Sequence, residues 1–351
     1  MTDTGSYTLD DMRAGADVAV RICMGVQPGE RVFILGDEGS SLISQALADA
    51  SSHLAEAVEA HTLESLGTRP ITEIPSKLQS ALESFQPHVS FYTASSRPGE
   101  LKFRMAYMPA VMQANPAGAR HGHMINITPL LMMQGMRVDY QQIYDVTMRV
   151  HELASRAKEI RVTNPKGTDF TAALNPDFNW IPCHGLYHEP GKWGNLPEGE
   201  TFTSPGNANG VLVVDELGDY FSERYGILET PVRFDVKNGR VKSVRSEDKS
   251  LEEDVQSYIY GAENADRVGE FAIGTNIALT GLVGNLLQDE KFPGVHVAFG
   301  DPYGKQTGAD WKSDHHVDVI PTQCTIDVDG RRIMSDGEFA AEILGKAPKK
   351  V

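Results

Sequence analysis

The chain has 351 residues, of which 40% are apolar and 23% are charged, so it is long enough for two globular domains. Its formal net charge of −16 argues against nucleic acid and anionic membrane surfaces as partners. The cysteines, Cys23, Cys183 and Cys324, lie far apart without a CxxC pair, so neither a disulfide framework nor a cysteine metal site is expected. With no signal-peptide pattern and no apolar run of about 20 residues, the sequence predicts a soluble cytoplasmic protein.

Residues 1–160 predict an α/β domain with a largely parallel sheet, because helix and strand patterns alternate along them. The last of these helices carries its apolar residues in one stripe, at helical spacing. The predicted helices are 9–24, about 40–60, 101–114 and 139–157. The predicted strands are Arg31–Leu35, His88–Tyr92, Met124–Ile127 and Glu159–Thr163.

Residues 161–351 predict a second domain that is mainly β, of the α+β class, because short strand patterns alternate with turn sequences. The turn KNGR, for example, favours a hairpin, since Asn and Gly accept a positive φ. One clear helix is predicted near Ser250–Tyr260. The predicted strands are Asp169–Ala173, Gly210–Asp215, Val232–Val236, Val241–Val244, Val295–Phe299, Val317–Ile320, Gln323–Val328 and Arg331–Met334.

The segment SDHHVDVI, residues 313–320, is the strongest local indication of a metal site. If strand pairing begins at His316, then His316 and Asp318 lie on one face, because strand side chains alternate. An imidazole nitrogen and a carboxylate suit a divalent cation, and His315 offers a group that faces substrate. By itself a His-x-Asp pair is also typical of a solvated surface strand.

Three further segments carry candidate site residues, each with an ordinary structural alternative. His296 begins an apolar strand, where a histidine is either a ligand or a hydrogen-bonded core residue. Tyr303 follows a Gly-rich turn and either stabilises an oxyanion or packs as an aromatic residue. Glu270, between apolar residues and glycines, either lines a cleft or pairs with Arg267 on an edge strand. The loop EPGKWGNLPEGETFTSP places Glu200 at the start of a β-like segment, in reach of a site, unless the loop is plain surface structure. Glu198 and Glu189 compete with Glu200 for that role.

Taken in order, these segments resemble the aminopeptidase T family of leucyl aminopeptidase-like metallopeptidases. The segments are GETFTSP, GEFAIGTN, VHVAFGDPYG and HVD, with GVQPGERVFI and VTNPKGTDFTAAL upstream. The resemblance implies two neighbouring divalent ions, Zn, Co or Mn, and a homodimer. It also implies a metal-activated water that cleaves an amide-type bond of a small substrate or short peptide. The implied metal ligands are Glu200, Glu270, His296, His316 and Asp318.

In the same reading, two residues take catalytic roles and three bind substrate. Glu270 bridges the ions, and Tyr303 assists the oxyanion. An aromatic-friendly pocket is suggested for Trp193, His184 and Tyr303, and His315 faces the substrate. Metal-assisted hydrolysis is therefore the first expected function.

A second resemblance, to the 2,5-dihydroxypyridine dioxygenases, rests on EPGKW, GTDF and HVD. That family uses one Fe(II) ion held by two histidines and an aspartate. Its pattern has a histidine where this chain has Glu270. The alternative function implied is ring cleavage of a hydroxylated, hydroxypyridine-like aromatic compound by a mononuclear Fe(II) enzyme.

Overall fold

The computed structural model describes residues 6–218 and 220–345 and divides into two compact units. The N-terminal unit comprises residues up to Tyr140 together with 185–198, and the C-terminal unit comprises 141–184 together with the chain from Gly199 onward. The expected domain boundary was residue 160. The segment 141–160 instead lies with the C-terminal unit, because the strand at Glu159–Thr163 pairs with the strand at Asp169–Ala173.

Helices and strands follow one another throughout the described chain. The helices are α1 Leu9–Asp17 with a π-helical continuation Val18–Cys23, α2 Ser41–Ser52, α3 Leu63–Leu66, α4 Ser76–Phe85, α5 Leu101–Gln113, α6 Pro129–Met133, α7 Tyr140–Ala154, α8 Tyr220–Tyr225, α9 Lys249–Ile259, α10 Leu286–Asp289 and α11 Gly304–Thr307. Among the described residues, none of these helices has the length and apolar character needed to cross a membrane.

The strands form three sheets. They are β1 Arg31–Gly36, β2 Ala57–Thr62, β3 Val89–Tyr92, β4 Arg120–His123, β5 Glu159–Thr163, β6 Asp169–Ala173, β7 Ile181–Cys183, β8 Trp193–Asn195, β9 Glu200–Thr203, β10 Asn207–Val214, β11 Glu216–Leu217, β12 Val232–Lys237, β13 Arg240–Arg245, β14 Val268–Gly274, β15 Gly294–Gly300, β16 His316–Ile320, β17 Thr325–Val328, β18 Arg331–Ser335 and β19 Glu338–Phe339.

The N-terminal unit contains a sheet in the order β2-β1-β3-β4-β8, and each neighbouring pair is parallel, in agreement with the expected parallel sheet. Two local predictions were wrong. The helix expected over 40–60 ends at Ser52, and 57–62 form β2, because pairing with β1 outweighs the helix propensity of the Ala-rich stretch. The strand expected at Met124–Ile127 lies four residues earlier, as β4, where buried His121 pairs with Ser90 across the sheet.

The C-terminal unit consists of two antiparallel sheets around one core, with α7 packed against it. One sheet has the order β13-β12-β10-β6-β5-β17-β18-β19, and the other has the order β11-β16-β15-β14-β9-β7. The rings of Phe170 and Phe271 stack across the core with centroids 6.4 Å apart, and those of Phe234 and Phe299 lie 5.1 Å apart. This arrangement is the mainly β architecture that the turn-rich sequence predicts.

His121, on β4, is a buried polar residue of the N-terminal unit. Its Nδ1 lies 2.8 Å from Ser90 Oγ, and its Nε2 lies 3.3 Å from His123 Nδ1. Burial lowers the pKa of His121 to about 3. The unfolded chain therefore binds a proton at His121 below about pH 6.5, while the folded chain does not until the pH approaches 3. The stability associated with this neutral imidazole is present above pH 6.5 and falls as the pH decreases.

Replacing His121 with Gln should make the free energy of unfolding depend less on pH below pH 6.5. Between pH 6.5 and pH 5, the loss of unfolding free energy should be smaller in the variant by about 2 kcal/mol. Urea unfolding across this pH range measures the difference. His53→Gln, at an exposed position, is the matched control. Parallel curves for the wild type and His121→Gln would contradict the prediction.

Candidate metal centre

Strand alternation in the six-stranded sheet separates an apolar face from a polar one. Phe271, Val297 and Val319 belong to the core between the sheets. His296 lies opposite Ala272, and Asp318 lies opposite Ala298, so both side chains point to the other face. The metal-ligand candidates are therefore held on rigid, fully paired strands.

Glu270 lies on the same face by alternation, since its neighbour Phe271 belongs to the core and Ala272 lies opposite His296. A β-bulge directly precedes Glu270. Val268 pairs with Phe299 while Glu270 pairs with Ala298, so Gly269 is the extra residue. A Cβ atom at Gly269 would come within 2.6 Å of the carbonyl oxygen of Gly300, and glycine avoids this clash. The sequence pattern predicts no strand here, because the bulge interrupts the alternation that identifies strands.

Five predicted ligands converge at this face. His296 Nε2 lies 3.6 Å from Glu270 Oε1 and 3.9 Å from Asp318 Oδ1. The same nitrogen lies 3.3 Å from Glu200 Oε2. His316 Nε2 lies 3.6 Å from Glu270 Oε2 and 3.6 Å from Asp318 Oδ2. Ligand atoms bound at about 2.0–2.2 Å to one ion have separations of this order, so the spacing fits a divalent cation.

The hydrogen bonds of the two imidazoles also fit metal binding. His296 Nδ1 lies 3.0 Å from the carbonyl oxygen of Glu290, and His316 Nδ1 lies 3.0 Å from that of Asp301. A carbonyl oxygen only accepts, so each Nδ1 donates its proton and each Nε2 keeps its lone pair in the neutral ring. Two Nε2 lone pairs among carboxylates form the donor set of a cation site, with backbone carbonyls fixing both rings.

The electrostatics show how strongly this cluster attracts positive charge. Burial alone lowers the pKa of His296, but the carboxylates of Glu270, Glu200 and Asp318 outweigh it and raise the pKa to about 10. Burial raises the pKa of Asp318 to about 7, with Glu290 and Glu270 contributing and the imidazoles opposing. A proton on His296 supplies part of the charge that a cation would supply more completely.

Two residues of the site were not found from the sequence. Glu290 offers a ligand atom within 4.8 Å of those of His296 and Asp318. Lys291 is fully buried, and its Nζ lies 2.7 Å from both Glu200 Oε1 and Glu290 Oε1. Neither residue stands out in the sequence, because a run of charged residues is typical of a solvated turn.

Of the four remaining predicted site residues, one lies beside the metal-ligand candidates and three make their described contacts elsewhere. Tyr303 has a left-handed backbone, with φ +50°, and its ring centroid lies 4.6 Å from that of His316. His315 turns to the Tyr258 side, where the rings stack at 4.1 Å. His184 packs edge-on against Tyr144 at 4.8 Å. Trp193 begins β8 in the N-terminal unit. Substrate contacts of His315, His184 and Trp193 stay a prediction.

Comparison with known families identifies the lineage of the chain. The family model of the 2,5-dihydroxypyridine 5,6-dioxygenases, NicX, matches residues 17–267, more than two thirds of the sequence. The chain belongs to the 2,5-dihydroxypyridine 5,6-dioxygenase family. Of the two resemblances seen in the sequence, the family match supports the second. The match to the NicX family includes Glu200 and ends before Glu270, so the convergence of the other four ligands rests on the structure.

A curated relative supports the assignment of this chain to the NicX family. The 2,5-dihydroxypyridine 5,6-dioxygenase of Pseudomonas putida is 22% identical over 200 residues, which are 54% of this chain and 56% of the relative. The match thus spans just over half the length of that curated relative.

Two solved structures share the fold. The P. putida 2,5-dihydroxypyridine dioxygenase has a TM-score of 0.69 at 15% identity, covering 96% of this chain and 99% of the other. Wild-type AmpT from Thermus thermophilus has a TM-score of 0.68 at 19% identity, covering 94% and 99%. At these identities the likeness establishes the fold alone.

Proposed function

We propose that the chain is an Fe(II)-dependent ring-cleaving dioxygenase that acts on a hydroxylated aromatic compound of the hydroxypyridine class. The observation that carries the proposal is the convergence of His296 and His316 on Asp318, with each Nε2 within 3.9 Å of its carboxylate. Two histidines and one carboxylate with open positions are typical of non-heme Fe(II) oxygenases. Membership of the NicX family supports the same chemistry.

This chain has Glu270 at the position where the family pattern has a histidine, so the second imidazole of the proposed centre comes from another strand. His296 lies on β15, directly beside β14, and supplies the second imidazole from the neighbouring strand. A bound Fe(II) ion supplies the electron-transfer chemistry that couples dioxygen to the aromatic ring. Glu270 remains beside both imidazoles, and although burial raises its pKa, the neighbouring His296 and His316 lower it below its usual value. Its carboxylate is therefore charged and suited to accept the proton of a ring hydroxyl.

Two aromatic side chains offer surfaces for such a ring. Phe202 lies on the same face of the sheet as His296, since both are opposite Ala272 on its two neighbouring strands. The Tyr303 ring lies 6.0 Å from the Phe202 ring and edge-on to it. We assign these side chains to hold the flat substrate, with the Tyr303 hydroxyl as the polar contact.

Oxygen uptake tests the proposal directly. Protein stripped with a chelator and reloaded with Fe(II) under anaerobic conditions should consume oxygen when 2,5-dihydroxypyridine is added, at one O₂ per ring lost. An oxygen electrode and ultraviolet absorbance record the two quantities together. Zn-loaded protein from the same preparation serves as the control and should consume no oxygen. Loss of the ring without oxygen uptake would rule the proposal out.

Hydrolysis of an amide-type bond is the second candidate, favoured by the position of Glu270. One oxygen of Glu270 lies beside His296 and the other beside His316, so this carboxylate is placed to bridge two ions. Glu200 adds a third carboxylate to those of Glu270 and Asp318. In this case Tyr303 would stabilise the oxyanion. Zn, Co or Mn would then support hydrolysis of an aminoacyl anilide to the amino acid and the free aniline in the absence of oxygen. The same stripped and reloaded preparation separates the two candidates.

A further inference from the structure

Lys291 makes the two sides of the metal centre unequal. Its ammonium contacts Glu200 Oε1 and Glu290 Oε1, each at 2.7 Å, and the residue is fully buried. Glu200 therefore presents only its Oε2, which lies 3.3 Å from His296 Nε2, toward the ligand cluster. The opposite side is formed by Glu270 and Asp318, whose carboxylates each lie 3.6 Å from His316 Nε2.

The position of Lys291 is set by the backbone around it. Its amide donates to the carbonyl oxygen of Gln288 at 2.9 Å, and its carbonyl oxygen accepts from Asn276 N at 3.0 Å. It follows the short helix α10, and Gly274 at the end of β14 leaves room for this turn, since a Cβ there would approach the Lys291 carbonyl carbon to 3.0 Å. The ammonium is thus held beside Glu200 by the fold as well as by charge.

The charge balance follows from these contacts. Four carboxylates cluster here: those of Glu200, Glu270, Glu290 and Asp318. With the Lys291 ammonium and neutral imidazoles, the formal charge of the cluster is minus three. One divalent ion brings it to minus one, whereas two bring it to plus one. A second ion would also share Glu200 with an ammonium group in a buried site, where repulsion is weakly screened.

We propose that Lys291 takes the place of a second cation and limits the centre to one tightly bound divalent ion. The inference rests on the proposed function, because a mononuclear oxygenase needs one such ion. Lys291 is a positioning residue here, acting through Glu200 and Glu290. The aminopeptidase resemblance implies two ions, whereas with Lys291 in place we expect one.

Counting bound Mn(II) tests the inference without any activity assay. Chelator-stripped protein is dialysed against Mn(II), the bound metal is measured by elemental analysis, and electron paramagnetic resonance distinguishes isolated from coupled ions. We expect one isolated ion per wild-type chain. Lys291→Met, which keeps the length and removes the charge, should bind two ions, with the second at least tenfold tighter than in the wild type. Lys102→Met, at a side chain 75% exposed, changes net charge equally and should leave the count at one.

A second variant covers the case in which Lys291→Met does not fold. Glu200→Gln should keep one tightly bound Mn(II), because the tight ion does not depend on the carboxylate that Lys291 occupies. Two equally tight ions in the wild type, one ion in folded Lys291→Met, or loss of the ion in Glu200→Gln would each overturn the inference while leaving a metalloenzyme. A wild-type chain that binds no Mn(II) or Fe(II) would overturn the inference and the proposed function together.

Discussion

Asp318→Asn should abolish tight binding of the catalytic ion while leaving the fold intact. Asp318 offers its two oxygens to His296 and His316, at 3.9 Å and 3.6 Å, and it is the carboxylate of the proposed Fe(II) set. Loss of a group that merely orients a ligand costs about 10- to 100-fold in metal affinity, and loss of the ligand itself should exceed about 100-fold. Oxygen uptake with Fe(II) should fall to background.

Thermal unfolding separates this loss from simple misfolding. Burial and the neighbouring carboxylates raise the pKa of Asp318 to about 7, so its charged form is unfavourable in the metal-free protein. The metal-free Asp318→Asn variant should therefore melt at or above the wild-type temperature. Added metal should raise the melting temperature of the wild type only.

Asp314→Asn, at an exposed carboxylate of the same segment, is the control for the Asp318 variant. It should keep both the metal-induced shift and the oxygen uptake. An unchanged metal-induced shift in Asp318→Asn would show that Asp318 is not a ligand.

The parts of the fold that follow local patterns could be predicted from the sequence, and those that depend on distant pairing could not. The strand Arg31–Gly36 was identifiable because it is an apolar run between turns. Ala57–Thr62 was not, because its residues favour a helix and become a strand by pairing with β1. The same reasoning applies to β4, whose RHGH sequence is stabilised by its buried contacts rather than by strand propensity.

The candidate site shows a similar division. His316 and Asp318 share a face by simple alternation, which the sequence contains. Glu270 joins them by alternation with Phe271 and Ala272, but the bulge at Gly269 interrupts the strand pattern just before it, so the sequence does not show the strand clearly. Lys291 could not be assigned from the sequence, since its burial follows from the turn after α10 and its contact with Glu200 spans 91 positions. Long-range electrostatics of this kind require the three-dimensional arrangement.

Arg69→Met should cause the largest loss of stability in the N-terminal unit. The guanidinium, 1% exposed, bonds Asp37 Oδ2 at 2.7 Å and Glu100 Oε1 at 2.8 Å, and it also donates to the Ser95 carbonyl oxygen. This group lies where β1 ends and the chain leaves β3. Both carboxylates are almost fully buried, so removing the arginine leaves two uncompensated charges. Breaking a buried pair in this way costs about 3–5 kcal/mol.

Urea unfolding measures this loss, and Arg97→Met provides the control. Arg97 is 50% exposed and lies 3.9 Å from Glu64, so its removal should change the free energy of unfolding by less than about 1 kcal/mol. Adding Asp37→Asn and Glu100→Gln to Arg69→Met should restore part of the stability, because the buried charges disappear with their partner. If the triple variant were no more stable than Arg69→Met, the loss would come from packing, and the ion network would not be what holds these strand ends together.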